Sequence, residues 1–347
     1  MAIQVGGVTV IDNSQNLTSS VGGLKTVGGN SLLGSGDISI ASGLQFEATL
    51  SKAFSNLQYG NGYFVMLDQT TNPYTVYYSS NGTSWSSYTL PSAASNTYYT
   101  NKLRWYEAAQ KWILFSSRHM YIASNPTSSG NWTYRALYSG WGGVQGIGYV
   151  WGSGVNTGSR TDGRFIAGHG WTGSYGTWGI SYSDNQGSTW YGGGSQSMGN
   201  FGYGHYSGYN TNQVVVGGFQ IQNPLGSPTF NPSYSGPQQD SNAFVKTINS
   251  STDLAFGSDY YFYHVSNSNG YQVQSSMSVP SGTNKVVWDS ANSQYIAIAT
   301  NYIYTSPTGE YWAANFSPTG GATVNAMATG GGNLVVCGNG ATFTTTL

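Results

Sequence analysis

A chain of 347 residues is long enough for a substantial buried core, and only 7% of it is charged, against about a quarter in an average soluble domain. With 15% aromatic residues and a net charge of −1, the composition argues against disorder and offers no basic stripe of the kind a nucleic-acid partner requires. The single cysteine, Cys337, excludes an intramolecular disulfide and any multi-cysteine metal site.

The opening stretch, Met1 to Gly7, carries neither a cationic region nor a long apolar one, so no signal peptide is expected. No run approaches the ~18 apolar residues of a membrane helix, and no membrane insertion is expected. Residues 1–42 contain no Trp, Tyr or Phe and are rich in Gly, Ser, Asn and Val. Their alternating runs, Ile3 to Ile11 and Leu24 to Ile40, read as small strands joined by glycine turns. A segment this poor in bulky side chains cannot build a core alone, so it is expected to be ordered by another chain or a larger assembly.

From residue 43 onward the chain repeats one unit. Val76-Tyr77-Tyr78-Ser79-Ser80-Asn81-Gly82-Thr83-Ser84-Trp85 reads as strand, tight turn and second strand, with β-branched and aromatic residues flanking Asn-Gly. The Ser-x-x-Gly-x-x-Trp spacing returns from Ser306 to Trp312, returns one residue longer from Ser183 to Trp190, and returns more loosely from Ser124 to Trp132. The second unit, with Leu103-Arg104-Trp105 and Lys111 to Phe115, recurs at Val286-Val287-Trp288 and Gln294 to Ile298; Trp105 to Trp288 and Ile113 to Ile296 are the same distance apart. One supersecondary element used many times is the physical meaning of such a period.

The expected units begin at Leu57, Leu103, about Ile147, Tyr203, Leu254, about Lys285 and Ala326, with weak signals for the fourth and fifth. The last unit supplies three strands and stops, so the strand 44–50 is expected to return from the start of the domain and complete it. Trp85, Trp132, Trp190 and Trp312 are expected to anchor the hairpins from within, and Cys337 to be a small buried hydrophobe.

Two resemblances rest on these residues. Ser183-Asp184-Asn185-Gln186-Gly187-Ser188-Thr189-Trp190 resembles the Asp-box hairpin of sialidase-type β-propellers, with Asn185 where that family usually has Asp. The resemblance implies an all-β, β-propeller fold, which by count has seven blades, six or eight being the alternatives. In that family the hairpin is structural and lies apart from the active site. The stretch Leu24 to Ile40, LKTVGGNSLLGSGDISI, resembles a segment recurrent in bacteriophage tail-fibre and related virion fibre proteins, with Gly28 where Asn is more usual. That resemblance implies a virion protein whose residues 1–42 attach to other virion proteins and oligomerise, as a homotrimer, while residues 43–347 form the propeller.

Catalytic chemistry finds little support. Arg104, Arg118 and Arg135 fall in one unit and Arg160 and Arg164 in the next, which does not suit the three-arginine carboxylate site of sialidases. Asp162, Asp184, Asp240, Asp259, Asp289 and Glu310 fall mostly in turns, where Asp serves the backbone. His119, His169, His205 and His264 fall one to a unit, without metal-ligand spacing. No catalytic residue, metal or cofactor is therefore assigned. The region from Trp141 to Tyr209 concentrates aromatics among Gly, Ser, Thr and Asn. Trp141, Trp171, Tyr175, Trp178, His205 and Tyr206 are the candidate glycan-binding residues, since aromatic faces stack on sugar rings and neutral polar side chains bond hydroxyls. The expectation is a non-enzymatic fibre that binds a bacterial surface glycan or receptor. A purely structural virion component and a propeller-fold polysaccharide-cleaving enzyme are the alternatives.

Overall fold

The computed structural model describes residues 3–5 and 8–11, and most of 46–347. Outside the description are 53, 55, 69–73, 92–101, 117–118, 138–143, 151–163, 170–176, 198–212, 217–218, 223–228, 231–243, 250–251, 257–260, 267–271, 300–301, 316–323 and 339; from 194 to 277 it covers backbone alone. The chain divides into two units, Met1–Gln45 and Phe46–Leu347. In the first, Ile3–Val5 and Val8–Ile11 form an antiparallel hairpin with Gln4 opposite Thr9 and Val5 opposite Val8. The stretch 24–40 lies outside the described residues.

In the second unit the described strands form seven antiparallel sheets, six of four strands and one of three. The first is Leu57–Gly60, Tyr63–Asp68, Thr75–Ser79 and Ser86–Thr89. The second is Lys102–Tyr106, Lys111–Ser116, His119–Ala123 and Thr133–Ala136. The third is Val144–Val150, Arg164–His169, Thr177–Ser183 and Tyr191–Ser197. The fourth is Gln213–Val216, Phe219–Gln222 and Thr229–Phe230. The fifth is Phe244–Asn249, Thr252–Phe256, Tyr261–Ser266 and Gln272–Ser278. The sixth is Thr283–Asp289, Gln294–Ala299, Tyr302–Ser306 and Ala313–Asn315. The seventh joins Val324–Gly330, Asn333–Gly338 and Ala341–Thr346 to the early strand Glu47–Leu50.

The fifth sheet departs from expectation, because it opens at Phe244–Asn249 and not at Leu254. Leu254 instead sits in its second strand, opposite Lys246 and His264.

Within each sheet successive strands pair, as short turns favour, except that Glu47–Leu50 joins the seventh from the start of the unit. In the first, Asn61 and Gly62 both take positive φ, 47° and 78°, which matches the twist of a two-residue hairpin between Gly60 and Tyr63. First strands of successive sheets touch: Leu57–Gly60 meets Lys102–Tyr106 on one side and Val324–Gly330 on the other, and Val324–Gly330 in turn meets Thr283–Asp289. Thr342 pairs with Leu50, Phe343 with Ala48 and Thr344 with Glu47, so the earliest strand of this unit is the last strand of its final sheet.

The core lies between sheets, and strand periodicity explains it. Successive side chains of a strand point to opposite faces, and a central strand covered on both faces reads as a continuous apolar run. In Tyr63–Asp68, Val65 and Leu67 pack with Leu103, Trp112, Leu114 and Trp132 of the second sheet. Phe64 and Met66 point the other way, against Ala326, Val335 and Cys337 of the seventh. The second sheet repeats the scheme, sending Ile113, Met120 and Ile122 against Ile147, Phe165 and Ala167 of the third. Cys337 is fully buried, and burial pushes its thiol pKa up.

Candidate functional site

Three hairpins join the third strand of a sheet to the fourth through one hydrogen-bond scheme. The hydroxyl oxygen of the leading serine accepts from the glycine N–H at 2.8 Å in every case: Ser79 from Gly82, Ser183 from Gly187 and Ser306 from Gly309. The tryptophan then turns its indole N–H back onto the carbonyl of that glycine, at 2.9 Å for Trp85, 3.1 Å for Trp190 and 3.0 Å for Trp312. The glycine is demanded twice over. Gly82 takes φ +75°, and a Cβ there would fall 2.5 Å from Val335 Cγ2 of the seventh sheet; Gly187 takes φ +78° with Met120 of the second sheet against it. The first- and third-sheet hairpins thus rest on the neighbouring sheet.

The looser copy is built differently. Between Ala123 and Thr133 the chain makes a 3-10 turn at Ser129–Asn131. Trp132 is buried and donates its indole N–H to the Tyr88 hydroxyl, which itself donates to Pro126 O at 2.6 Å. Burial raises the Tyr88 pKa, and the bond from Trp132 offsets part of that rise. Trp132 links the second sheet to the first by this route, without the glycine carbonyl.

Of the candidate glycan-binding residues, Trp141, Trp171, Tyr175, His205 and Tyr206 lie outside the described residues. Trp178 is placed by its backbone, opposite Gln196 in the third sheet. The described surface holds aromatics that sequence reasoning passed over: Tyr191, Tyr302 and Tyr311 are exposed, Tyr311 to 82%. Tyr191 opens the strand that follows Trp190, and Tyr311 precedes Trp312 in the turn, so each exposed ring sits beside a part-buried indole. That signal was available in the sequence.

The charged groups separate into distinct places. Arg164 is buried in the third sheet and makes a two-point ion pair with Asp184, Nε to Oδ1 at 2.6 Å and a terminal nitrogen to Oδ2 at 3.0 Å, with the Tyr182 ring 4.0 Å from its guanidinium carbon. Arg104 lies on an innermost strand and Arg135 on an outermost one. Asp289 accepts from the backbone N–H groups of Ala291 and Asn292, at 3.0 and 3.3 Å, and from the amides of Asn292 and Gln294. Glu107 accepts from the Trp105 indole at 2.6 Å and the Gln110 amide at 2.8 Å. The His169 ring shares a 2.6 Å hydrogen bond with the Ser181 hydroxyl. Asp162, Asp240 and Asp259 lie outside the described residues. No cluster of three metal-ligating side chains occurs among the described residues.

Among the described residues, two cavities offer places for a ligand. One, of about 190 Å³, opens among first strands of the first, second, sixth and seventh sheets and is lined by Gln58, Tyr59, Arg104, Lys285, Trp288 and Thr329, among others. Lys285 is nearly buried there, donating to Leu57 O at 3.4 Å. The other, of about 300 Å³, runs between the second sheet and the third-sheet hairpin; Lys111, Ser124, Thr133, Arg135, Gln186 and Ser188 line it with Asn185. Among the described residues neither is lined by a carboxylate. Both can take hydrogen-bonding, electron-rich ligands.

Radial antiparallel sheets, packed face to face and closed by a strand from the beginning of the ring, define the class: this is a β-propeller. Solved structures agree on the fold. The chain is similar to a streptogramin B lyase, at 11% identity over 87% of this chain and 97% of that one, with a TM-score of 0.58. It is similar to a catalytically inactive virginiamycin B lyase from Staphylococcus aureus with quinupristin, at 9% identity, 88% and 99% coverage and a TM-score of 0.57. The WD40 propeller domain of Doa1 is comparable, at 11% identity, 88% and 97% coverage and a TM-score of 0.55. No protein-family model matches the sequence, and no curated protein matches it significantly. At such identities the likeness concerns the fold alone.

Proposed function

We propose that this chain is a phage virion fibre protein whose first ~42 residues attach to other virion proteins and assemble the chain as a trimer, and whose propeller recognises a glycan on the bacterial surface. The observation that carries the reading is the stretch Leu24 to Ile40, which resembles the recurrent segment of virion fibres and precedes a β-propeller. A rigid propeller presents its connecting loops as a binding surface. The region from Trp141 to Tyr209 concentrates the aromatic and neutral polar residues that stack on sugars and bond their hydroxyls. The chain acts by binding, without turnover, and its place is the virion.

The test is competition. Purified full-length chain is expected to bind host cells, reduce adsorption of the intact virion, scatter light as a trimer and release no reducing ends from host polysaccharide. Binding lost on treating cells with periodate identifies the receptor as glycan. Failure to bind cells or to compete with the virion would leave a structural virion component as the better reading, and reducing-end release would favour an enzyme.

A further inference from the structure

The groove between the second sheet and the third-sheet hairpin differs in charge from its counterpart between the seventh sheet and the first-sheet hairpin. Thr133 and Arg135 lie on one face of their strand, opposite Ile122 and Met120, and Met120 and Ile122 pack toward the third sheet. Arg135 therefore stands on the side that faces Asn185, Gln186 and Ser188, which line the same cavity. Lys111 enters from the start of Lys111–Ser116, two strands away, its ammonium donating to the Ser124 hydroxyl at 2.6 Å.

Among the described residues no carboxylate pairs with either cation: the ion pairs of Lys52 with Asp68 and of Arg164 with Asp184 include neither Lys111 nor Arg135. Asp184, next to Asn185, is bound at both oxygens by Arg164. Arg135 donates one terminal nitrogen to Tyr134 O at 3.2 Å, while its Nε is buried with no hydrogen-bond partner among the described residues. A buried donor without an acceptor costs free energy that an arriving anion recovers. The corresponding place between the seventh and first sheets is closed by neutral groups: Thr49 and Thr344 hydroxyls donate to Gly82 O at 3.0 and 2.6 Å. The hairpin architecture itself therefore does not require two cations.

We infer that this groove is a subsite for the acidic group of an oligosaccharide, a carboxylate or a sulfate, which Arg135 takes through its Nε edge and Lys111 neutralises. The inference rests on the reading of the propeller as a saccharide binder and adds charge selectivity to it. A planar guanidinium matches two anion oxygens at once, whereas the lysine contributes a point charge. Thr133 on the second-sheet side and Ser188 on the hairpin side add hydroxyls to the lining, suited to a sugar's own hydroxyls.

Calorimetric titration of the full-length chain tests this with three probes: trigalacturonate, its fully methyl-esterified form, and a sulfated κ-carrageenan oligosaccharide. At least one acidic probe is expected to bind, more weakly as salt is added. If that probe is trigalacturonate, the neutral ester binds about tenfold or more less tightly. The two acidic probes distinguish carboxylate from sulfate. R135Q and K111M are each expected to weaken the acidic probe about tenfold with unchanged thermal unfolding. Equal affinity for trigalacturonate and its ester, no binding of either acidic probe at millimolar concentration, or wild-type affinity in both variants would overturn the inference. Should a variant fail to fold, salt dependence and the ester comparison on the wild-type chain decide. Cell binding separates the two readings: a chain that adsorbs to host cells but shows no acid selectivity keeps the fibre function and loses the subsite. Arg135-dependent acid binding without adsorption does the reverse.

Discussion

Arg164 and Asp184 face each other through two hydrogen bonds of 2.6 and 3.0 Å, with the arginine 1% and the aspartate 24% exposed. The pair fastens the second strand of the third sheet to the hairpin that leaves its third strand. Removing one partner of such a pair strands a buried charge, which costs about 3 kcal/mol or more. Asp184→Asn is accordingly expected to lower the urea midpoint strongly, whereas a double Arg164→Met, Asp184→Asn variant should recover part of the loss. An unchanged midpoint in the single variant would show that the arginine finds another counter-charge.

The serine-to-tryptophan hairpins give a second test. Trp85 is half-buried against the seventh sheet, and Trp85→Ala is expected to cost about 3 kcal/mol by chemical denaturation. Gly82→Ala should also destabilise, because a φ of +75° and the nearby Val335 methyl both oppose a Cβ. Exposed Tyr311→Ala, one residue from Trp312, should leave stability within about 0.5 kcal/mol.

Alkaline titration probes Tyr106, which is buried and donates to Ile147 O of the third sheet. Burial raises its pKa above the ordinary value of 10.0, against a smaller lowering by Arg104. A raised pKa means that the folded state holds its proton more tightly, so the stabilisation is present below about pH 10 and is lost as the pH climbs toward the folded value. Unfolding free energy should fall above about pH 10. The fall should be shallower in Tyr106→Phe when both chains are followed by urea titration.

Cys337 should be silent to a thiol-specific reagent in the native chain at neutral pH, since it is buried and its pKa is raised by burial. Its modification rate should track unfolding as denaturant is added. Rapid reaction without denaturant would mean that the first and seventh sheets separate readily.

Much of this architecture could be read from residues, and the reason is local. The serine, glycine and tryptophan of each hairpin satisfy one another within a few residues, so their spacing shows in the sequence. Trp105 with Trp112, and Trp288 with Tyr295, form the same cross-strand aromatic contact in the second and sixth sheets, at 5.3 and 4.6 Å between ring centroids. The first strand of the fifth sheet, Phe244–Asn249, carries no tryptophan at the place of Trp105 or Trp288, so the sequence marks its start less clearly. The groove was harder still, because Lys111 and Arg135 meet Asn185 only through the packing of two sheets. Alternation put Arg135 on the face of Thr133, but no spacing along the chain says which hairpin that face will meet.

The pairing of Glu47–Leu50 with Ala341–Thr346 has a consequence for synthesis. Thr49 and Thr342, joined by a hydrogen bond of 3.3 Å, are 293 residues apart. At ~5–20 residues per second, a ribosome takes on the order of 15–60 s to cover that span. Until Ala341–Thr346 emerges, the seventh sheet lacks its partners, and Glu47–Leu50 presents unpaired backbone to neighbouring nascent chains. Ala341–Thr346 therefore acts as the clasp, and termination ahead of it is expected to yield aggregates in place of a shortened ring.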